Sequence, residues 1–148
     1  MTAGPADALS CLRPDPARSF QQAEASEQTY VIARGTLDFD GAELPEGMST
    51  AAEDQSVSVP ARLSGMGLTR DGYTVPFDRD VTLVLQCLGP WCGTATPGTE
   101  VLAFLEKDDD GYTIRQSPCG GLAFQDAPDD WYDTVATCFA GGDCTPQE

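Results

Sequence analysis

Six cysteines carry most of the chemistry that this sequence offers: Cys11, Cys87, Cys92, Cys119, Cys138 and Cys144. Cys87 and Cys92 flank Leu-Gly-Pro-Trp, a turn sequence that can return the chain on itself, and Cys138 and Cys144 flank a Gly-Gly pair. Both pairs can reach the Cα separation of roughly 5.5 Å that a disulfide needs. The spacing therefore predicts two local disulfides, which leaves Cys11 to pair with Cys119.

Two rival roles for the cysteines fit the spacing less well. Four thiolates can bind zinc, but the two local gaps hold four and five residues, whereas closed structural sites usually have about two to four. A thiol-exchange motif has two residues between its cysteines and opens a helix, unlike Cys-Leu-Gly-Pro-Trp-Cys. We expect all six cysteines to be oxidised, with no metal and no cofactor.

The remaining side chains restrict the possible reactions further. The chain contains no histidine, so Ser-His-Asp, Cys-His and His-metal chemistries are excluded. Asp108-Asp109-Asp110-Gly111 hints at calcium, but an EF-hand loop also needs a closing Glu that is absent here, so a hairpin tip is expected. No spacing singles out a pair of acids for hydrolysis. An enzyme of the cell envelope that acts through carboxylates, a hydrolase, stays as the alternative function.

Length and charge bound the class of protein. The 148 residues carry 24 acidic against eight basic side chains, a formal charge of −16, which repels phosphate backbones and anionic lipids. We expect one domain, residues 1–148, monomeric, with no nucleic-acid partner and no membrane insertion. Six cysteines in a short chain indicate an oxidising compartment, so we expect a periplasmic or secreted protein whose export signal was removed. A lipid tether at Cys11 would need a longer precursor.

The elements that must position these residues are mostly strands. Apolar residues alternate or run on in five segments: Thr29–Phe39, Ser56–Ser64, Val81–Cys87, Val101–Leu105 and Tyr112–Ile114. Capped helices are predicted from Pro16 to about Glu27 and from Asp126 to Gly141. Residues 1–8 are expected to be disordered, and residues 40–55 form a long loop. The fold class is mainly β, a closed, disulfide-stapled core with a helix at each end of the chain.

Several short motifs follow one another as they do in a known family. They are Cys11 with the short helix after it, Tyr30-Val31-Ile32-Ala33-Arg34-Gly35, Cys92-Gly93, the segment Gly98–Leu105, and Cys119. Over about residues 9–140 their order resembles the netrin-like domain of the tissue inhibitors of metalloproteinases, especially its bacterial branch. The resemblance implies a five-stranded antiparallel OB-type barrel. It also implies that Cys11 pairs with Cys119, in agreement with the spacing.

The chain departs from this family at the segment that binds the protease. The inhibitors open with Cys-x-Cys, whose first cysteine is the free N-terminus and chelates the protease zinc. Here the segment reads Leu9-Ser10-Cys11, with residues ahead of it and the first cysteine missing. An internal peptide amide is a poor zinc ligand, so we expect no metalloproteinase inhibition.

The expected function is a secreted or periplasmic module that binds an unidentified protein partner without catalysis. The resemblance places its site in the loops at one end of the barrel: Leu9 to Leu12 (Leu9, Ser10, Cys11 and Leu12), residues 40–55, and Leu88 to Thr96. Trp91 lies at the tip of a disulfide-bounded turn. Either its indole is exposed and anchors the partner, or it folds back and caps the core.

Overall fold

The computed structural model describes residues 11, 13–41, 55–88 and 91–146, and the fold is mainly β with a helix near each end. The elements in chain order are α1 (Pro16–Ala25), β1 (Thr29–Phe39), β2 (Gln55–Thr69), β3 (Gly72–Leu88), β4 (Trp91–Cys92), β5 (Thr99–Asp108), β6 (Gly111–Ser117), β7 (Gly120–Gly121), β8 (Ala123–Gln125) and α2 (Asp129–Phe139). The five predicted strands and both predicted helices are therefore present. Strand β3 begins nine residues before the predicted Val81, at Gly72.

Five strands join into a ring. Strand β1 pairs with β2 on one side and with β5 on the other, β2 pairs with β3, and β5 pairs with β6. All four of these contacts are antiparallel. The ring closes between β3 and β6, where residues 81–85 run parallel to residues 112–116.

The parallel closure corrects the expectation of an all-antiparallel barrel. Strand direction reverses at each antiparallel contact, so a ring with an odd number of strands needs at least one parallel contact. The ring is also not a regular barrel, because β6 pairs with β5 only over three residues at the Asp108 end. Farther along β5, residues 101–103 pair with the short strand β8 instead. The result is a mixed sheet.

Strand β5 is buried on both faces, which explains its unbroken apolar run. Val101, Ala103 and Leu105 point into the ring, where they join the main core with residues such as Leu37, Leu63, Leu83 and Ile114. Leu102 and Phe104 point outward into a second core formed with the two helices. That second core contains Phe20 of α1 and Tyr132 of α2. The helices therefore cover the outer face of β1 and β5.

Capping residues and prolines determine where the two helices begin. Asp15 caps α1 by accepting a hydrogen bond from the backbone N–H of Arg18 at 3.0 Å, and Pro16 follows at the first helical position. Helix α2 begins after Pro128, later than the Asp126 start that the sequence predicted. Asp126 instead has a φ of 53°, and its N–H bonds to the carbonyl of Glu100, so it ends β8.

Three disulfides join Cys11 to Cys119, Cys87 to Cys92, and Cys138 to Cys144. These are the three pairs that the spacing predicted. Together they indicate an oxidising, extracytoplasmic compartment. In the described part of the chain, neither helix is long and apolar enough to cross a bilayer.

Two smaller features of the strands also had sequence signals. Pro60 pairs with Thr82 of β3 just beyond the last residue pair between β1 and β2, an edge position of the kind that a proline requires. Gly35, within β1, lies in unshifted register opposite Gly65. A Cβ on Gly65 would overlap the backbone of Arg34, so the glycines serve the close approach of two strands.

Candidate functional site

A cleft of about 670 Å³ lies beside the disulfide that joins Cys11 to Cys119. We call it the disulfide cleft. One wall is the chain from Arg13 into the first turns of α1, and the facing wall is β8 with the end of β6. Cys92 and Thr94 line the cleft as well, as does Trp131 of α2.

The cleft brings together parts of the predicted site that are far apart in the sequence. Cys11 lines it directly, and Cys92, the neighbour of Trp91, lines it too. The backbone of Trp91 lies in β4 opposite Leu88. The structure describes no side-chain placement for Trp91. Leu9, Ser10, Leu12, residues 1–8 and most of the long loop (residues 42–54) lie outside the described residues.

Two glutamine side chains hold the walls of the cleft by binding backbone groups. The carboxamide of Gln116 is 2% exposed. It donates to the carbonyl of Ala123 at 3.1 Å and accepts from the N–H of the same residue at 3.2 Å. The carboxamide of Gln125 accepts from the N–H of Thr96 at 2.7 Å and donates to the carbonyl of Thr94 at 3.4 Å. Each side chain thus supplies one donor and one acceptor to the backbone segment beside it.

Aromatic packing fixes the end of the cleft near α2. The ring of Trp131 meets Phe124 edge to face, with centroids 5.2 Å apart, and Phe124 packs in the same manner against Phe104 of the second core. Trp131 belongs to the inward-facing side of α2. It is half-buried and lines the cleft while it packs on the core.

Two arginines and two aspartates, Asp15 and Asp126, line the cleft. Arg13 and Arg18 both line it, and neither belongs to the ion pairs found among the described residues. The guanidinium of Arg18 donates to the carbonyl of Arg13 at 3.0 Å, which holds the two residues together. By contrast, Arg34, Arg62 and Arg115 each pair with a carboxylate.

Asp78 of β3 is an acidic residue whose pKa is shifted. Hydrogen bonds from Arg62 and then Ser64 lower the pKa of Asp78, so this exposed carboxyl group is held as an anion in an ion pair. In the described segments, no group of three or more Cys, Asp or Glu residues is placed to hold a metal ion.

Sequence reasoning missed the contribution of α1 to the site. Arg13, Arg18 and Gln22 come beside β8 only through the packing of α1 on α2 and the disulfide at Cys11, and no local pattern reports such contacts. One signal for the facing wall was present. Gln116 follows Tyr112 and Ile114 at alternate positions of a strand, so a polar residue stands where the pattern points inward.

Comparison with protein-family models, with curated protein sequences and with solved structures finds no match to this chain.

Proposed function

We propose that this protein is a secreted or periplasmic module that binds a protein partner at the disulfide cleft, on a ring of OB type related to the netrin-like domain. The observation that carries the proposal is the convergence of two distant segments on one cleft, the chain at Cys11 and the turn that contains Cys92. The disulfides at both segments favour binding, because a rigid site loses little conformational entropy when a partner docks.

The OB assignment and the family relationship are supported by the order of strands around the ring, β1-β2-β3-β6-β5, and by the disulfide that ties the opening segment to the end of the last ring strand. The difference from the inhibitors at Cys11 also changes the expected function. Its nitrogen is a peptide amide with residues ahead of it, so it lacks the amino group that chelates zinc in the inhibitors. We expect this chain to inhibit no metalloproteinase at nanomolar concentration.

The test is a saturable complex that depends on the cleft. Gln22 is exposed and lines the cleft, so Gln22→Trp should block it and weaken binding of the partner. Ala25→Trp is the matched control, because Ala25 is exposed on the same helix but does not line the cleft. Equal affinity of the two variants would move the site elsewhere. Turnover of a substrate that depends on one or two specific Asp or Glu residues would instead favour the hydrolase.

Trp91 provides a second test of the same site. If the Trp91 indole is exposed as an anchor, Trp91→Ala should weaken the complex by at least about 2 kcal/mol, the loss typical of an interface anchor, with the melting temperature nearly unchanged. Isothermal titration and thermal melting of the two proteins measure the two quantities. A large drop in melting temperature with unaltered affinity would make Trp91 a core residue.

A further inference from the structure

On the edge of β8 that faces away from β5, the backbone groups of one residue are hydrogen-bonded and those of another are open. The N–H of Asp126 bonds to the carbonyl of Glu100 at 2.9 Å, and the N–H of Phe104 bonds to the carbonyl of Leu122 at 2.6 Å. In an antiparallel pair, bonded and non-bonded residue pairs alternate. The backbone groups of Ala123 and Gln125 therefore point away from β5.

At Ala123 these groups are already paired. The buried carboxamide of Gln116 bonds to both the N–H and the carbonyl of Ala123. A carboxamide has the same donor and acceptor as a peptide unit, so Gln116 occupies the place of one residue of an added strand. The contact at Ala123 thus shows how a planar amide can lie beside this strand.

At Gln125 the equivalent position is open. Within the described residues, no hydrogen bond joins the backbone N–H or carbonyl of Gln125 to another group, and its side chain is engaged with Thr94 and Thr96. Gln125 and Gln116 both line the disulfide cleft. We call this open position the edge slot.

Another open edge, in the first half of β3, is protected against such pairing. Residues 72–80 of β3 pair with β2 on one side, and β6 joins the other side only from Val81 onward. This stretch carries Pro76, which has no N–H to donate, and Asp78-Arg79-Asp80. Proline and charge are the usual means by which proteins prevent strand addition. Residues 123–125 of β8 contain neither a proline nor a charged side chain, and the first charge comes at Asp126.

The wall that faces the edge slot supplies cationic and amide donors. Arg18 and Gln22 are four residues apart on α1, so they lie on one face of the helix, and both line the cleft. The cleft also contains two carboxylates: Asp15, which accepts the N–H of Arg18 as the helix cap, and Asp126, which follows Gln125 in the chain. Arg18 has no ion-pair partner in the described chain.

We propose that the disulfide cleft binds an extended peptide segment, which pairs with the N–H and carbonyl of Gln125 as a short added strand and directs an acidic side chain toward Arg18. This mode of recognition rests on the proposed function, since it names how the partner is held at the same cleft. Main-chain bonds to a strand edge supply affinity in such complexes, and side-chain contacts supply specificity.

The probe is a displayed library of random linear peptides, selected on the full oxidised chain and counter-selected on Gln22→Trp. We expect peptides that bind the wild-type protein and carry an acidic residue at a constant position. Hydrogen exchange then tests directly whether a bound peptide pairs with the edge slot. Binding should slow exchange of the Gln125 amide at least about tenfold, whereas the Ala123 amide should be protected in both free and bound protein because Gln116 already bonds to it.

Two variants separate the backbone of Gln125 from its side chain. Gln125→Pro removes the N–H, and Gln125→Ala keeps the N–H but removes the contacts to Thr94 and Thr96. Both variants lose the side-chain contacts and only the proline loses the N–H, so we expect Gln125→Pro to bind the selected peptides on the order of tenfold more weakly than Gln125→Ala does. Arg18→Gln should abolish the preference for the acidic residue and leave exchange at Gln125 unchanged.

The contrary outcomes are distinct from those of the proposed function. Cleft-dependent peptides that leave Gln125 exchange unchanged, or that bind Gln125→Pro and Gln125→Ala equally well, would overturn strand pairing and keep the binding module. A selection that yields no cleft-dependent peptide also overturns the edge slot. A partner complex insensitive to both Gln22→Trp and Trp91→Ala would overturn the proposed function itself.

Discussion

At the scale of single residues, Arg34 joins α2 to the sheet. Its guanidinium carbon lies 4.0 Å from the ring centre of Tyr132 and 5.7 Å from that of Tyr73, and it pairs with Glu100 at 3.4 Å. The hydroxyl of Tyr73 donates to the backbone carbonyl of Tyr132 at 2.9 Å. A cation over an aromatic face is attracted to it, so this group of side chains fixes the helix over β1.

The stability that the Tyr73 hydroxyl contributes to this group of side chains is lost at alkaline pH. Burial, more than any other cause, raises the pKa of Tyr73 above its ordinary 10.0. A raised folded-state pKa gives stability that is complete below pH 10 and is lost as pH rises through the folded-state value. We expect Tyr73→Phe to cost about 1 kcal/mol of unfolding free energy near neutral pH, the worth of one hydrogen bond.

Above pH 10 the difference in unfolding free energy between the wild type and Tyr73→Phe should decrease, because only the wild type loses the contribution of the Tyr73 hydroxyl. Urea unfolding at a series of pH values measures it. Tyr30 and Tyr132, whose pKa values burial also raises, are present in both proteins, so their effect cancels. A difference that stays constant from neutral to strongly alkaline pH would contradict the assignment.

At the scale of elements, the buried carboxamide of Gln116 is what connects β6 to β8. Because Gln116 bonds to both backbone groups of Ala123, Gln116→Leu would leave that N–H and carbonyl buried without partners. Each such group costs about 1–3 kcal/mol, so we expect a loss of roughly 2–4 kcal/mol in unfolding free energy and faster exchange of the Ala123 amide.

Gln125→Ala is the control for Gln116→Leu, because Gln125 also binds backbone groups but is only half-buried. Water can replace the lost bonds there, so we expect a smaller loss of stability. Equal losses for the two variants, measured by urea unfolding, would show that burial of the carboxamide does not decide the effect.

The elements that the sequence predicted are those whose apolar pattern is local. Alternation in β1 and β2 and the apolar run of β5 identified these strands, and Asp15-Pro16 identified α1. The first half of β3 was missed, since charges occupy Asp78 to Asp80 on an open edge. Strand β8 is three residues long, too short for periodicity to reveal it. The cleft was only partly foreseen, because α1 reaches β8 through contacts distant in sequence.

At the scale of the whole molecule, the disulfides differ in how much chain they close. Cys11 and Cys119 are 108 residues apart, whereas Cys138 and Cys144 are six apart. A cross-link stabilises the folded state by reducing the entropy of the unfolded chain, and the effect grows with loop length. The long bridge also holds the chain at Arg13 against the end of β6, so stability and the shape of the cleft depend on it together.

We therefore expect Cys11→Ser with Cys119→Ser to lower the unfolding free energy by about 5 kcal/mol, and Cys138→Ser with Cys144→Ser by about 2 kcal/mol, from the loop-length relation. Urea unfolding of both double variants measures these values, and thiol titration of the denatured wild type should find no free thiol. The long-bridge variant should also weaken cleft-dependent peptides, because its loss frees one wall of the cleft. The short-bridge variant should bind them as the wild type does, since neither Cys138 nor Cys144 lines the cleft. Similar losses of stability from both variants, or equal affinity for the selected peptides, would contradict a role of the bridge between Cys11 and Cys119 in shaping the cleft.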